Sequence, residues 1–227
     1  MTQHDWNAHY ASDAQPWDTG KPDPVLIEWQ KQSGLTRGRV LEIGCGTGTN
    51  AIWLAQQGFD VLAQDLAPLA IEKARAKAKA QGVQRCEFRV NDFLKDEPLE
   101  GAYQLVFDRG CFHVFDAAAD QARFAERVAA LLAPGGLWLS LIGSTEGGPR
   151  EMGPPRRSAR DILNAVEPHL ELVALRAFEF ELIPGETVPP KAWSCLARRR
   201  AVAAEPSTLW EEESAQCCER QIRQGPA

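Results

Sequence analysis

Residues 42–50 read Glu-Ile-Gly-Cys-Gly-Thr-Gly-Thr-Asn, and glycines at alternate positions let a backbone turn approach a ligand more closely than side chains would allow. The glycines are Gly44, Gly46 and Gly48. A turn that holds a dinucleotide pyrophosphate spaces them as G-x-G-x-x-G, the third packing the next helix close to its strand. Here that third position is Thr49. No Gly-Lys-Ser/Thr follows, so the turn is not a triphosphate loop either. Glu42, directly before the glycines, would repel a pyrophosphate and attract a cationic ligand. Downstream, Asp65, Asp92 and Asp108 each follow a short β-like run, and His113 is the side chain nearest them that titrates close to neutrality.

The elements that position these groups follow from periodicity. Leu41 and Ile43 belong to a short strand that stops at the glycines, and Ala51–Ala55 resumes as helix with Gly58 as its stop. Phe59–Ala63 is a second strand ending near Asp65, and Pro68–Ala80 a helix opened by proline and closed by Gln81-Gly82. Cys86–Val90 and Tyr103–Phe107 read as strands, Ala117–Leu132 as a helix ending before Pro134-Gly135-Gly136, and Leu137–Ile142 as the fifth strand. Strands separated by helices of this length imply right-handed crossovers and a parallel sheet covered on both faces. After a loop at Ser144–Arg157 and a helix at Ser158–Val166, two β-rich runs, Leu170–Phe180 and Ala192–Arg198, are joined through Pro184–Pro190 without a helix. Such a pair is most simply antiparallel.

The chain has 227 residues, 44% hydrophobic and 25% charged, with a formal charge of −6. It is long enough for one domain with short appendages. Its net negative field disfavours nucleic acid and acidic membrane surfaces, and no apolar run reaches bilayer length. A small-molecule partner and a cytoplasmic location are therefore expected. The six cysteines, at 45, 86, 111, 195, 217 and 218, lack C-x-x-C spacing and read as reduced thiols, so no metal is expected.

The ordered features E-x-G-C-G-x-G, an acid after each of the second to fourth strands, and Pro-Gly-Gly before the fifth resemble the class I S-adenosylmethionine-dependent methyltransferases over residues 39–200. The resemblance implies an α/β fold: a Rossmann-like, doubly wound, seven-stranded sheet, mainly parallel with an antiparallel C-terminal strand. It implies S-adenosyl-L-methionine as cofactor, bound by Trp17, Glu42, Gly44, Cys45, Gly46, Gly48, Asn50, Asp65, Leu66, Asn91, Asp92, Phe93 and Asp108. Within that set Asp65 would accept the ribose hydroxyls, and Asp92 and Phe93 would flank the adenine. Residues 1–34 would form an N-terminal arm or lid with the first helix, 35–200 the methyltransferase domain and 201–227 a tail.

Gln15–Pro22 (QPWDTGKP) is similar to the W-x-x-G-x-P segment of the thiopurine, thiol and chalcogen methyltransferase branch, which implies a lid and a soft acceptor atom: sulfur, selenium or tellurium. Acceptor contacts are then expected from Trp17, Arg109, Phe112, His113 and Arg156, with Arg150 and Arg157 in the same basic loop. His113 and Asp108 are the catalytic candidates, His113 as the base that takes a thiol proton. Other readings stand beside these: Asp65 as a helix cap, Asp92 as a turn cap, Asp108 paired with Arg109, Cys45 as packing, Trp17 as a staple and His113 as a structural histidine. O-, N- or C-methylation of a metabolite or a protein lysine is the alternative activity, and a non-catalytic nucleotide-binding scaffold the alternative class. A monomer or weak homo-oligomer is expected.

Overall fold

Glycines and prolines punctuate alternating strands and helices, and the computed structural model describes residues 5–11, 15, 17–97, 99–148, 154–181 and 188–200. The sequence expectations for Arg150, for Cys217 and Cys218 and for the tail at 201–227 lie outside those residues. The helices are α1 (Trp6–Ala11), α2 (Pro24–Ser33), α3 (Thr49–Gln56), α4 (Pro68–Ala80), α5 (Ala118–Leu131) and α6 (Ala159–Val166). The strands are β1 (Arg39–Ile43), β2 (Asp60–Asp65), β3 (Cys86–Val90), β4 (Tyr103–Arg109), β5 (Leu132–Gly143), β6 (Leu170–Glu179) and β7 (Lys191–Arg199). No helix among the described residues is long and apolar enough to cross a membrane.

Local chemistry explains the boundaries that matter for the site. Asp23 caps α2 by accepting from Val25 N–H, Pro24 opens the helix, and Gly34 closes it at φ 67°. Gly48, at φ 79°, starts α3 directly out of the glycine turn. Ser158 and Asp161 form a reciprocal capping box on α6.

The sheet order is β3-β2-β1-β4-β5-β7-β6. Strands β1 to β5 are parallel, and β7 runs antiparallel to both β5 and β6. The strand order reverses between β1 and β4, and at such a switch point the strands' carboxyl ends leave a crevice for a ligand. Registers Ile43↔Gln64 and Ile43↔Asp108 bring the ends of β1, β2 and β4 level with one another there. One core lies between the sheet and α2, α3 and α4, using Leu26, Leu54 and Ile71 against Val40, Val61 and Phe107. The other uses Phe124, Val128 and Ile162 of α5 and α6 against Leu41, Val106 and Trp138. Central strands are therefore apolar on both faces, as parallel strands must be.

Two expectations need adjustment. The Pro134-Gly135-Gly136 turn lies inside β5, which pairs with Tyr103 at Leu132 and, after a register shift, with Leu105 at Leu137. A Cβ on Gly136 would sit 2.6 Å from Tyr103 O, so glycine lets the two backbones touch across the irregularity. The N-terminal arm also contains a short helix, α1, which the sequence reading left out.

Candidate active site

The glycine turn is fixed from both sides. Cys45 N–H donates to Gln64 O at 2.9 Å and Gly48 N–H to Cys45 O at 2.9 Å. At Gly44 (φ 68°) a Cβ would lie 2.9 Å from Cys111 Cβ, and at Gly46 (φ 54°) 2.9 Å from the Tyr10 hydroxyl. Positive φ and close neighbours thus make both glycines obligatory.

Glu42 lies beneath the turn and is 1% exposed. Its Oε1 accepts from Asn50 Nδ2 at 3.4 Å, and its Oε2 has no hydrogen-bond partner among the described residues. Burial pushes its pKa up to about 8 against the hydrogen bonds from Asn50 and Ala51. A buried carboxyl with one unused oxygen is costly unless something positive or hydrogen-bonding meets it.

Asp65 ends β2, as expected. Its Oδ2 accepts from Gly46 N–H at 2.8 Å and its Oδ1 from Ala67 N–H at 2.9 Å. Burial raises its pKa, and the bonds from Ala67 and Gly46 pull against that rise. The carboxylate thus locks the glycine turn to the start of α4, and each oxygen keeps a second lone pair for a hydroxyl. Leu66 beside it is 38% exposed although large and apolar. Beyond β3, Asp92 accepts from Leu94 and Lys95 N–H at 3.1 and 3.2 Å, which is the turn-capping geometry. Asn91 Nδ2 donates to Asp96. Phe93 is buried edge-on to Phe124, with ring centroids 4.7 Å apart, so it is mainly a core residue.

After β4 the structure corrects several sequence expectations. Asp108 does not pair with Arg109. It is fully buried and accepts from Cys111 N–H, Phe112 N–H and Trp138 Nε1 at 3.2, 3.0 and 2.9 Å, anchoring the turn that follows. Burial raises its pKa to about 6 despite those bonds. Phe112 is 0% exposed and packs 5.6 Å from both Phe124 and Trp138; it is part of the core and does not line an acceptor pocket. His113 is 5% exposed, and its Nδ1 accepts from Gly143 N–H at 2.9 Å. Burial first, then the charges of Arg157 and Arg109, push its pKa down to about 3. A base that weak holds almost no proton at neutral pH, so His113 fits as a structural neutral imidazole and not as the thiol's base.

Arg109 turns toward the segment of residues 17–23, an N-terminal strap that leads into α2. Its Nε donates to Asp23 Oδ2 at 2.7 Å, its Nη1 to Trp17 O at 3.1 Å, and its guanidinium lies 4.9 Å over the Phe180 ring. Arg156 donates to Gly148 O within its own loop, and Arg157 ties that loop to Phe115 O and Asp116.

The N-terminal arm, α1 together with this strap, brings further residues to the turn. Tyr10 is 5% exposed and Trp17 Nε1 donates to its hydroxyl at 3.4 Å. The Trp17 ring also meets Trp6 at 6.0 Å and His9 at 5.8 Å. Asp18 accepts from Thr47 and Thr49 hydroxyls, and Lys77 Nζ donates to the same hydroxyls at 2.5 and 2.9 Å. Burial would raise the Asp18 pKa, but the bonds from Thr47 and Gly20 and the Lys77 charge hold it below the usual value. Trp6, Tyr10 and Trp17 stand in the sequence as aromatics ahead of the core, while Asp23 before Pro24 marks a helix start without revealing its distant partner. With the strap across this end of the strands, a hollow of about 370 Å³ lined by Arg39, Asp60, Arg85, Glu87 and Tyr103 lies at the opposite end, where β1 and β2 begin.

Comparison with known proteins agrees with this geometry. Residues 40–136, from β1 into β5, match the family described as "Methyltransferase domain". The chain is 30% identical over 205 residues to "Probable thiol methyltransferase 2" of Arabidopsis thaliana, covering 90% of this chain and 88% of that protein. A structure described under "Conversion of a Disulfide Bond into a Thioacetal Group during Echinomycin Biosynthesis" is 27% identical with a TM-score of 0.74, covering 92% of this chain and 96% of the other. A SAM-dependent methyltransferase from Aquifex aeolicus, 18% identical with a TM-score of 0.65, covers 87% of this chain and all (100%) of that one, and shares the fold. A glycine turn at the sheet's switch point, with Glu42 buried beneath it and Asp65 locking it to α4, together with similarity to a methyltransferase along nine-tenths of its length, places the chain in the class I S-adenosylmethionine-dependent methyltransferases.

Proposed function

We propose that this enzyme methylates a small molecule at sulfur or a related soft atom, selenium or tellurium, with the strap of residues 17–23 as roof of the site. The residues fit S-adenosylmethionine: the Glu42 oxygen without a partner suits an ammonium group, Asp65 has lone pairs for ribose hydroxyls, and Gly44 and Gly46 let Cys111 and Tyr10 close directly on the turn. When bound, this cofactor supplies an electrophilic methyl group carried on a sulfonium. Trp17 and Tyr10 cover the turn with apolar, electron-rich surface, which excludes water and tolerates a cation.

The observation that carries the acceptor class is the commitment of the titratable groups after β4. Asp108 is consumed by three hydrogen bonds and His113 by Gly143 N–H. An acceptor that ionises by itself suits such a site. A thiol, with an ordinary pKa of about 8.5, supplies thiolate near neutrality far more readily than a phenol at about 10. The two relatives whose printed names concern thiol and disulfide chemistry support the same class. Cys45, Cys86, Cys111 and Cys195 are free thiols, in keeping with a reducing cytoplasm. We further propose residues 1–34 as the lid and 35–200 as the catalytic domain, acting without nucleic acid or membrane, as a monomer or weak homo-oligomer.

The test is an acceptor panel in which S-adenosylhomocysteine production is followed with alkyl and aryl thiols, selenite, tellurite, halides and phenols side by side. Thiols should lead. Turnover confined to phenols or amines would overturn the soft-acceptor reading, and cofactor binding without turnover on any acceptor would favour a binding protein.

A further inference from the structure

The strap is attached at two places that differ in kind. Asp18 and Lys77 meet with side chains 21% and 30% exposed, 3.8 Å apart. Asp23 and Arg109 meet with side chains 5% and 18% exposed, 2.7 Å apart. Asp23 divides its carboxylate: Oδ1 caps α2 through Val25 N–H, and Oδ2 takes Arg109. The cap therefore does not need the ion pair. Arg109 in turn comes from the last position of β4, holds Trp17 O and rests on Phe180, so it joins the strap to the sheet edge of the crevice.

A hydrogen-bond chain runs from this pair to the floor. Asp23 N–H donates to Asn50 Oδ1 at 2.9 Å, and Asn50 Nδ2 donates to Glu42 Oε1 at 3.4 Å. An amide has one donating and one accepting end, so the two bonds fix each other's direction. If Glu42 is ionised by a cationic neighbour, the Asn50–Glu42 bond becomes charge-assisted and shorter. That holds Oδ1 more firmly toward the strap. The charge state of the floor and the grip on the roof are thus coupled through one side chain.

We propose that Asp23 and Arg109 are a clasp: positioning residues that hold the strap over the bound nucleoside and set how fast S-adenosylhomocysteine leaves. This rests on the site assigned above, and it changes the role of Arg109 from acceptor binding to strap closure. Breaking the pair should speed dissociation, because a strap held less firmly opens more often and ligand release waits on that opening.

Asp23→Asn is the informative variant, since asparagine caps a helix as well as aspartate while losing the charge. Displacement of S-adenosylhomocysteine in stopped flow should be about tenfold or more faster in Asp23→Asn and in Arg109→Gln, with the double variant no faster than either single. In ligand-free protein, amide hydrogen exchange at residues 18–23 should rise in both singles and stay unchanged at α3. Unaltered release together with unaltered exchange overturns the clasp. Arg109→Gln with normal release and a raised KM for the acceptor alone overturns it as well and returns Arg109 to the acceptor. Failure of the wild type to bind S-adenosylhomocysteine would sink the site assignment instead, and exchange at 18–23 would still decide whether the pair holds the strap.

Discussion

If the ligand's ammonium group meets Glu42, as proposed, affinity for S-adenosylhomocysteine should depend on pH in a direction that the surroundings of the carboxyl fix. Burial puts the carboxyl pKa at about 8, against an ordinary 4.5, so the ligand-free enzyme carries a proton there at pH 7. An ammonium set against Oε2 favours the ionised form, so binding must expel that proton, and affinity must fall as pH falls below 8. The slope approaches tenfold per pH unit only well below pH 8, so the loss between pH 8 and pH 6 is about 50-fold, or about 2.3 kcal/mol. Titration calorimetry with S-adenosylhomocysteine at pH 7, in buffers of different ionisation enthalpy, should report close to one proton released. Near pH 9 the release should vanish. Glu42→Gln keeps the shape and the bond to Asn50 but has nothing to titrate. Its affinity should be weaker at pH 8 and flat down to pH 6. A flat wild-type profile, or a slope surviving in Glu42→Gln, would refute the placement of the cationic group on Glu42.

Asp65→Ala should weaken S-adenosylmethionine binding by about 1.5–3 kcal/mol, the loss of charge-assisted hydrogen bonds; unchanged calorimetric affinity in a folded variant would remove Asp65 from the ribose site, and NAD should fail to bind either protein. His113→Ala should lower the melting temperature by an amount equivalent to about 1–3 kcal/mol, because Gly143 N–H loses its buried acceptor. Activity lost in that variant should not return at high pH, and rescue at pH 9 with an alkyl thiol would reinstate His113 as a base. The same ring gives the wild type an acid limit. Its folded pKa of about 3 lies below the ordinary 6.5, so its contribution to stability is complete above pH 6.5 and is lost as pH falls below that value.

The parts of this site that were legible in the sequence are those written in adjacent residues. The strand at Leu41 and Ile43 ends because Gly44, Gly46 and Gly48 adopt left-handed backbone, and glycine is the residue that does so freely. Alternation and breakers likewise set the ends of β2 and β4, and parallel pairing then carries Asp65 and Asp108 to the same end of the sheet as Glu42. Spacing says where a side chain starts but not what covers it. Phe112 and His113 stood beside the crevice in sequence, yet Phe124 of α5 and Trp138 of β5 close over the first and Gly143 claims the second. Arg109 was legible as a cation at a strand end, but its partner Asp23 lies 86 residues earlier, beyond the reach of periodicity or local motif. The strap is gripped from both sides of the switch point, by Thr47, Thr49 and Asn50 beyond β1 and by Arg109 of β4. The charges that would otherwise be exposed in the crevice are thereby matched within the chain: Asp18 with Lys77, and Asp23 with Arg109. Glu42 Oε2 is left as the carboxyl oxygen buried there with no hydrogen-bond partner among the described residues, which is the reason the proposed site sets the ligand's positive group against it.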